Sequence, residues 1–324
     1  MKFSKTVAQI AVLLSMTLAG PAAAQQAYPN KPIRIITPYA PGGSTSVVAR
    51  LVGQKLTEGW GQQVIVDNRP GGNGYIGGEA LVKAAPDGYT FMLITATHVM
   101  TPLLVPAPYD AIKDVTAIAS ICSSDFVLVV HPSVPAKTLK EFIALAKARP
   151  GELNYASSGT GGGTHIYSEM LFDLARVKLQ HIPYKGAGQS QIDLIAGQVQ
   201  VLFTFPVNVL PHITSGKLRA LAVSGESRIA SLPQVPTLTQ SGLPGFDITG
   251  WFGLLAPAGT PKEIVDKVSS EIGKIVRMPD IKDKFVSQGI GPYYSAPEPF
   301  TALMKADTAK IAKIIKVANI KLEK

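Results

Sequence analysis

The sequence predicts an α/β protein of two lobes, with two chain crossings between them and a ligand cleft where they face each other. Three observations carry this expectation. Short apolar runs alternate with helically periodic segments in two successive series; a Pro- and Gly-rich stretch, 231–247, closes the second; helical periodicity dominates the remainder.

Residues 1–24 read as an export signal. Lys2 and Lys5 precede an apolar run, Val7–Leu18, too short to span a bilayer, and Ala22-Ala23-Ala24 precede Gln25. Cleavage near Ala24 would leave a mature chain in the periplasm; an uncleaved anchor or a buried N-terminal helix is the alternative. The first series then predicts a strand at Ile33–Thr37, a helix over 44–58, a strand at Val64–Asp67, a helix over 76–84 and a strand at Phe91–Thr95, the pattern of a mostly parallel sheet. Val48, Leu51, Val52 and Leu56 share one face of the first helix, and Gly59 stands where a C-cap belongs.

A second series opens at Phe126–Pro132. Thr138 and Glu141 have capping-box spacing for a helix that ends before Pro150-Gly151, and strands follow at 153–156, 180–183, 199–204 and 218–223. Beyond the loop, Thr260-Pro261-Lys262-Glu263 supplies an N-cap, a proline at the first helical position and a capping glutamate for a long amphipathic helix. The expected lobes are 25–128 plus 249–324, and 129–248.

Lys and Arg outnumber Asp and Glu by 31 to 22, a formal charge of +9 that becomes +7 without Lys2 and Lys5. These cations are scattered, so the clustered patch that nucleic acid requires is missing and no nucleic-acid partner is expected. Cys122 is the only cysteine, which excludes an internal disulfide; it reads as a small buried residue rather than a nucleophile.

Pro38–Arg50 reads as strand end, glycine turn and helix start. Such a turn aims unpaired N–H groups and the positive end of a helix dipole at one spot, a ready anion site. Asn154–His165 repeats this logic, with Thr164 placed to cap a helix over 165–175, although a glycine run also suits a plain flexible loop. His181–Gly188 offers amides at Gly186 and Ala187, with Lys185 either charging the cleft or lying in solvent.

Gly72-Asn73-Gly74-Tyr75-Ile76-Gly77 matches the dinucleotide fingerprint G-x-G-x-x-G. Pro70-Gly71 separates it from its strand and no acidic residue follows near twenty positions on, so it reads as a turn at the cleft edge and no cofactor is expected. Motifs for nucleophilic or metal catalysis are missing, and the five histidines, at 98, 131, 165, 181 and 212, are never three or four apart. No catalytic or metal site is expected.

Tyr39-x-Pro41-Gly42-Gly43, Asn68-Arg69-Pro70-Gly71, Ala85-Pro86-Asp87-Gly88-Tyr89, Leu153–Ser157, Ile182–Gly186, Leu218–Val223 and Val235-Pro236-Thr237 together resemble the running signature of the Bug receptors. These are the extracytoplasmic solute-binding components of tripartite tricarboxylate transporters. The resemblance covers the whole mature chain. It implies a type II periplasmic binding protein fold whose lobes close, as a Venus flytrap does, on a small carboxylate, and membrane transporter subunits as partners of a monomeric receptor.

Carried onto this sequence, the implied ligand-binding residues are Tyr39, Gly43, Ser44, Thr45 and Ser46 in the first lobe. In the second they are Ser157, Ser158, Thr160, Thr164, Tyr184, Gly186, Ala187 and Thr204. Two positions depart from the family pattern, where an Asp is common: Ser46 and Thr204. Like charges about 4 Å apart repel by roughly 4 kcal/mol at an effective dielectric near 20, so a cleft without those carboxylates suits a mono- or dicarboxylate lacking an amino group. Tyr39, Phe203, Phe205 and Trp251 put aromatic acids among the candidates. Two rivals follow from the residues: a secreted hydrolase using Ser44 or Ser158 with His98 or His165, and a sensor feeding a signalling partner.

Overall fold

The structure, a computed structural model, describes residues 28–246 and 248–317. The export signal expected at 1–24 lies outside them. Among the described residues no helix is long and apolar enough to cross a membrane.

β1 (Ile33–Thr37) is a short run of which four residues are buried, as a strand covered on both faces must be. α1 (Ser44–Trp60) follows and buries Val48, Ala49, Val52 and Leu56. It ends on Gly61 rather than the expected Gly59. Gly61 adopts φ 66° and its N–H bonds the Thr57 carbonyl, a left-handed cap that glycine takes without penalty. Next come β2 (Val64–Asn68), a single turn at Gly72–Gly74, α2 (Tyr75–Val82), β3 (Thr90–Thr95), the one-turn α3 (Thr97–Met100) and the long β4 (Val115–Asp125).

The chain then enters the second lobe with β5 (Val127–Val130), α4 (Leu139–Ala148), β6 (Asn154–Ser157), α5 (Gly163–Ala175), β7 (Gln180–Pro183), α6 (Ala187–Ile195), β8 (Val201–Thr204), α7 (Pro206–Thr214) and β9 (Arg219–Val223). It returns through β10 (Thr249–Pro257), α8 (Lys262–Arg277), α9 (Pro279–Ser287), β11 (Gly291–Ser295) and α10 (Pro297–Val317). The sheets run β11-β4-β10-β3-β1-β2 and β7-β6-β8-β5-β9. This is the type II periplasmic binding fold.

Neither sheet is mostly parallel. β1 pairs parallel with β2 and β3, but β10 is antiparallel to β3 and β4, and β11 to β4. In the second sheet β6 is parallel to β7 and β8, and β5 is antiparallel to β8 and β9. The reversed strands are β10 and β11 in the first sheet and β5 in the second; β5 and β10 each follow a crossing directly. β11, absent from the expected elements, is an edge strand containing Pro292, which a central strand would not tolerate.

Two caps also differ from expectation. α8 starts at Lys262 with Pro261 as its N-cap, because the Thr260 hydroxyl donates to the Pro257 carbonyl at 2.8 Å instead of capping the helix. In α4 the Thr138 hydroxyl accepts from the Glu141 N–H at 3.2 Å, while the Glu141 carboxylate reaches one residue past the cap, to the Lys137 N–H at 2.6 Å.

The crossings are the link between lobes. The first is at Phe126, between the last pair of the first sheet at Asp125 and the first of the second at Val127. The second runs from Ser224 to Ile248. They are tied together: the Ser224 N–H donates to the Phe126 carbonyl at 2.9 Å and the Phe126 N–H to Ser224 Oγ at 2.8 Å. Beside them, β4 holds Cys122 fully buried, and that burial raises its thiol pKa well above the ordinary value. Such a thiol is core, not nucleophile.

Candidate functional site

Three helices begin at the face between the lobes: α1 after Gly43, α5 after Gly162 and α6 after Gly186. None of these N-cap residues makes a side-chain cap bond. Each helix start contributes unpaired N–H groups and about half a positive charge. Thr164 is not the cap the sequence suggests. α5 starts one residue before it, and its hydroxyl instead accepts from the Ser158 N–H at 2.8 Å and pairs with Ser158 Oγ at 2.8 Å.

A cavity of about 40 Å³ lies where these ends meet. The first lobe contributes Tyr39, Gly43, Ser44, Thr45, Thr95, Ala96, Thr97 and Gly250; the second contributes Ser158, Gly163, Thr164, Tyr167, Ala187, Phe205 and Asn208, with Phe126 between. None of these side chains carries a charge. Burial pushes the Tyr39 hydroxyl up to about 12, against hydrogen bonds with Thr97 and Thr95, and raises that of Tyr167 too, so both phenols stay protonated.

Two side-chain atoms in this wall, Thr45 Oγ1 and Asn208 Oδ1, are buried with no hydrogen-bond partner among the described residues. Thr45 is 2% and Asn208 4% exposed. Buried polar groups without a protein partner normally have a ligand or water.

The aromatic residues divide. Phe205 lines the cavity and stacks on Phe126 at 4.3 Å between centroids. Phe203 is fully buried behind it, and Trp251 donates its indole N–H to Asp307, so both belong to the core.

Of the thirteen expected residues, seven line the cavity: Tyr39, Gly43, Ser44, Thr45, Ser158, Thr164 and Ala187. The other six stand behind or beside it. The Ser46 hydroxyl accepts from Asn68 Nδ2 at 2.6 Å. Ser157 is fully buried and bonded to His181 Nε2 at 2.7 Å. Thr160 presents its carbonyl to Asn73 Nδ2, and the Tyr184 hydroxyl donates to Asp193 at 2.7 Å. Gly186 packs on Ala40, and Thr204 Oγ1 accepts from Asn208 Nδ2 at 2.8 Å. Lys185 is exposed.

Sequence reasoning missed Thr95, Ala96, Thr97, Phe126, Tyr167, Asn208 and Gly250, while Gly163 lies in the loop it did single out. A signal existed for two groups of them. Thr95-Ala96-Thr97 follows the carboxyl end of a strand, where open α/β sheets place ligands, and Asn208 is a lone amide inside the apolar run Phe203–Leu210.

The lobes touch across the mouth. Besides Asn73 to the Thr160 carbonyl, Thr101 Oγ1 donates to the Gly161 carbonyl at 3.1 Å and the Gly163 N–H to Thr97 Oγ1 at 3.2 Å. Asn73 itself sits at φ 56°, which is how the G-x-G-x-x-G segment serves as a turn at the cleft edge.

The histidines proposed for a hydrolase sit elsewhere. His98 is buried with Nε2 on the Ala111 carbonyl at 2.9 Å, and burial lowers its pKa to about 4. His165 stacks on His181 at 3.9 Å; burial first, then the neighbouring His181, lowers it to about 3, and burial lowers His181 to about 4. No histidine lines the cavity.

Comparison with known proteins agrees with this geometry. The profile described as "Tripartite tricarboxylate transporter family receptor" matches residues 48–320. The chain belongs to this family. Protein BugT of Bordetella pertussis (strain Tohama I) is 32% identical over 327 residues, covering 100% of both chains. Among solved structures, R. palustris Rpa4515 with adipate is 30% identical, with a TM-score of 0.88 over 91% of this chain and 99% of that one. MatC from Rhodopseudomonas palustris with bound malate is 28% identical, with a TM-score of 0.85 over 89% of this chain and 100% of that one. The family is one of periplasmic solute-binding receptors.

Proposed function

We propose that this family member is an exported, monomeric receptor that captures a small carboxylate between its lobes and hands it to the membrane subunits of a tripartite transporter. The lobes are 31–126 with 249–317, and 127–223, hinged at Phe126 and at 224–248. Residues 1–24 direct export and are removed near Ala24.

The observation that carries this reading is an uncharged cavity faced by three glycine-capped helix N-termini. Together they supply about one and a half positive charges in a site from which bulk water is largely excluded, so an anion is held with no lysine or arginine. Thr45, Ser44 and Ser158 add hydroxyl groups. Dicarboxylates are the first candidates in this reading, ahead of monocarboxylates and aromatic acids, and the adipate and malate of related solved structures support that order. An α-amino group would be buried against positive helix ends with no carboxylate to pair it, at a cost of several kcal/mol. Capture without chemistry fits a site in which Ser158 bonds Thr164 and no imidazole reaches Ser44.

A thermal-shift screen of the purified protein against monocarboxylates, dicarboxylates, aromatic acids and amino acids tests the reading. Ligand at a hundredfold over Kd stabilises by about 2.7 kcal/mol, worth several degrees. A rise with plain carboxylates and none with aspartate or glutamate is expected. A flat response to every acid overturns the reading.

A further inference from the structure

We infer that the stacked pair His165 and His181 makes ligand affinity depend on pH: neutral imidazoles hold the loop 158–162 in its binding shape, and acid frees the loop and weakens binding. This rests on the reading of capture between the lobes and adds a control to it. The loop joins β6 to α5 and faces the cavity with Ser158, and the start of α5 does so with Gly163 and Thr164. Two imidazoles grip it from the other side. His165 Nδ1 accepts from the Gly161 N–H at 3.0 Å. The fully buried Ser157 hydroxyl accepts from the Gly159 N–H at 3.1 Å, and among the described residues the acceptor for its own proton is His181 Nε2 at 2.7 Å.

Both ring nitrogens therefore accept, and a protonated imidazole has only donors. A proton on His165 Nδ1 sets one N–H against another at Gly161, and a proton on His181 Nε2 strands the buried Ser157 hydroxyl hydrogen. The rings lie 3.9 Å apart and within 8° of parallel, so charge on one opposes charge on the other. A second cavity, of about 280 Å³, opens behind the loop onto both rings, with Thr160, Glu169, Lys178 and Gln180 in its wall. Glu169, four residues along α5 from His165, favours a proton there, but its carboxylate already accepts from the Tyr155 hydroxyl; the exposed Lys178 opposes one. Tyr155 stacks on His181 at 4.9 Å.

Holding the loop, the rings titrate at about 3 and about 4; released from it, they return toward the ordinary 6.5. Between these values the released form carries protons that the held form lacks, so the held form loses ground as pH falls from about 6.5 toward 4. At pH 5 a single ring free to titrate near 6.5 favours release by about thirtyfold.

Isothermal titration of the purified protein with adipate and with malate at pH 7.5 and 5.0 tests this, with circular dichroism confirming the fold at both. The ratio of Kd at pH 5.0 to Kd at pH 7.5 is expected to be at least tenfold larger in the unmodified protein than in the double variant His165→Gln, His181→Gln, with each single variant between. Glutamine can accept from Gly161 or Ser157 but cannot titrate, and the acid's own titration is common to every variant. His98→Gln, in the first lobe, should keep the unmodified ratio. A ratio that the double substitution leaves unchanged overturns the inference and leaves the carboxylate reading standing. Binding of neither acid counts against the carboxylate reading alone. In that case, or if the double variant does not fold, nuclear magnetic resonance of the empty unmodified protein decides: the Gly159 and Gly161 amide signals should move with the ring signals of His165 and His181 between pH 7.5 and 4.5. Rings that titrate while those amides stay fixed, or rings that remain neutral throughout, overturn the inference.

Discussion

Ser46 follows Thr45 by one residue and performs a different task. Successive helical residues point about 100° apart, so when Thr45 faces the cavity Ser46 turns back toward β2. There Asn68 Nδ2 reaches Ser46 Oγ at 2.6 Å, Thr37 Oγ1 at 2.6 Å and the Tyr39 carbonyl at 2.9 Å, pinning the loop after β1. The Ser46 hydroxyl thus helps anchor this loop. Ser46→Ala is expected to cost about 1 kcal/mol in urea denaturation, one lost hydrogen bond, while the Kd of the best-bound acid moves less than threefold. A tenfold change in affinity would return Ser46 to the site. His98 gives a second residue-scale expectation. It titrates near 6.5 when solvated and at about 4 when buried, stacked beside Tyr109. Between those values the unfolded chain holds a proton that the folded chain lacks, so stability falls as pH drops through the window. For His98 the loss is on the order of 2 to 3 kcal/mol by about pH 4. Denaturant titrations at pH 7, 5.5 and 4.5 should show the fall, and His98→Gln should make it shallower, leaving the part that His165 and His181, lowered in the same way, contribute.

The elements proposed to hold the ligand are the three helix starts, and how far each was legible follows from how local its physics is. The turn from β1 into α1 could be read directly, because apolar run, glycines and helical periodicity adjoin in sequence. The second-lobe loops were placed for the same reason, yet only Ser158, Thr164 and Ala187 of their expected residues reach the cavity. Which side chain faces inward depends on the starting residue of the helix, and Gly162 rather than Thr164 sets that for α5. Thr97 and Asn208 left only local marks, a strand end and a lone amide, that do not say the two share one cavity. They line the cavity together because the starts of α3 and α7 face it from opposite lobes, which no spacing records. Strand direction was misread because the crossing strands β4 and β10 pair with each other, a contact between residues more than a hundred positions apart. Gly43 offers a test at this scale. Its N-cap position has room for a Cβ, with neighbours no nearer than 3.7 Å. Gly43→Asp exchanges one tolerated N-cap for another and should alter stability by only a few tenths of a kcal/mol. Its carboxylate would occupy the end of α1, and like charges about 4 Å apart repel by roughly 4 kcal/mol at an effective dielectric near 20. Carboxylate affinity should therefore fall more than tenfold by calorimetry at an unchanged melting midpoint. Retained affinity would mean that α1 does not hold the anion.

At the scale of the whole molecule, binding energy is divided between the ligand and the contacts the lobes make with each other. The crossings at Phe126 and Ser224 are stitched together by backbone and hydroxyl, so the lobes can rotate about them while the far edge of the cleft opens. At that edge the lobes are joined by Asn73 on the Thr160 carbonyl, Thr101 on Gly161 and Gly163 on Thr97. On the proposed capture by lobe closure, such contacts favour the closed form before a ligand arrives, and a ligand that binds that form then loses less of its affinity to closure. Asn73 isolates the effect because its backbone is left-handed, at φ 56° and ψ 32°. Asn73→Gly preserves that conformation and deletes only the amide, whereas alanine would add backbone strain. Losing one hydrogen bond of about 1 kcal/mol should weaken the best-bound acid about fivefold, chiefly through faster dissociation in stopped-flow. Small-angle scattering should give a larger radius of gyration for the empty variant, returning to the unmodified value at saturating ligand. If both forms keep the same radius and the same Kd, the edge contact does not govern closure, and the ligand alone must draw the lobes together.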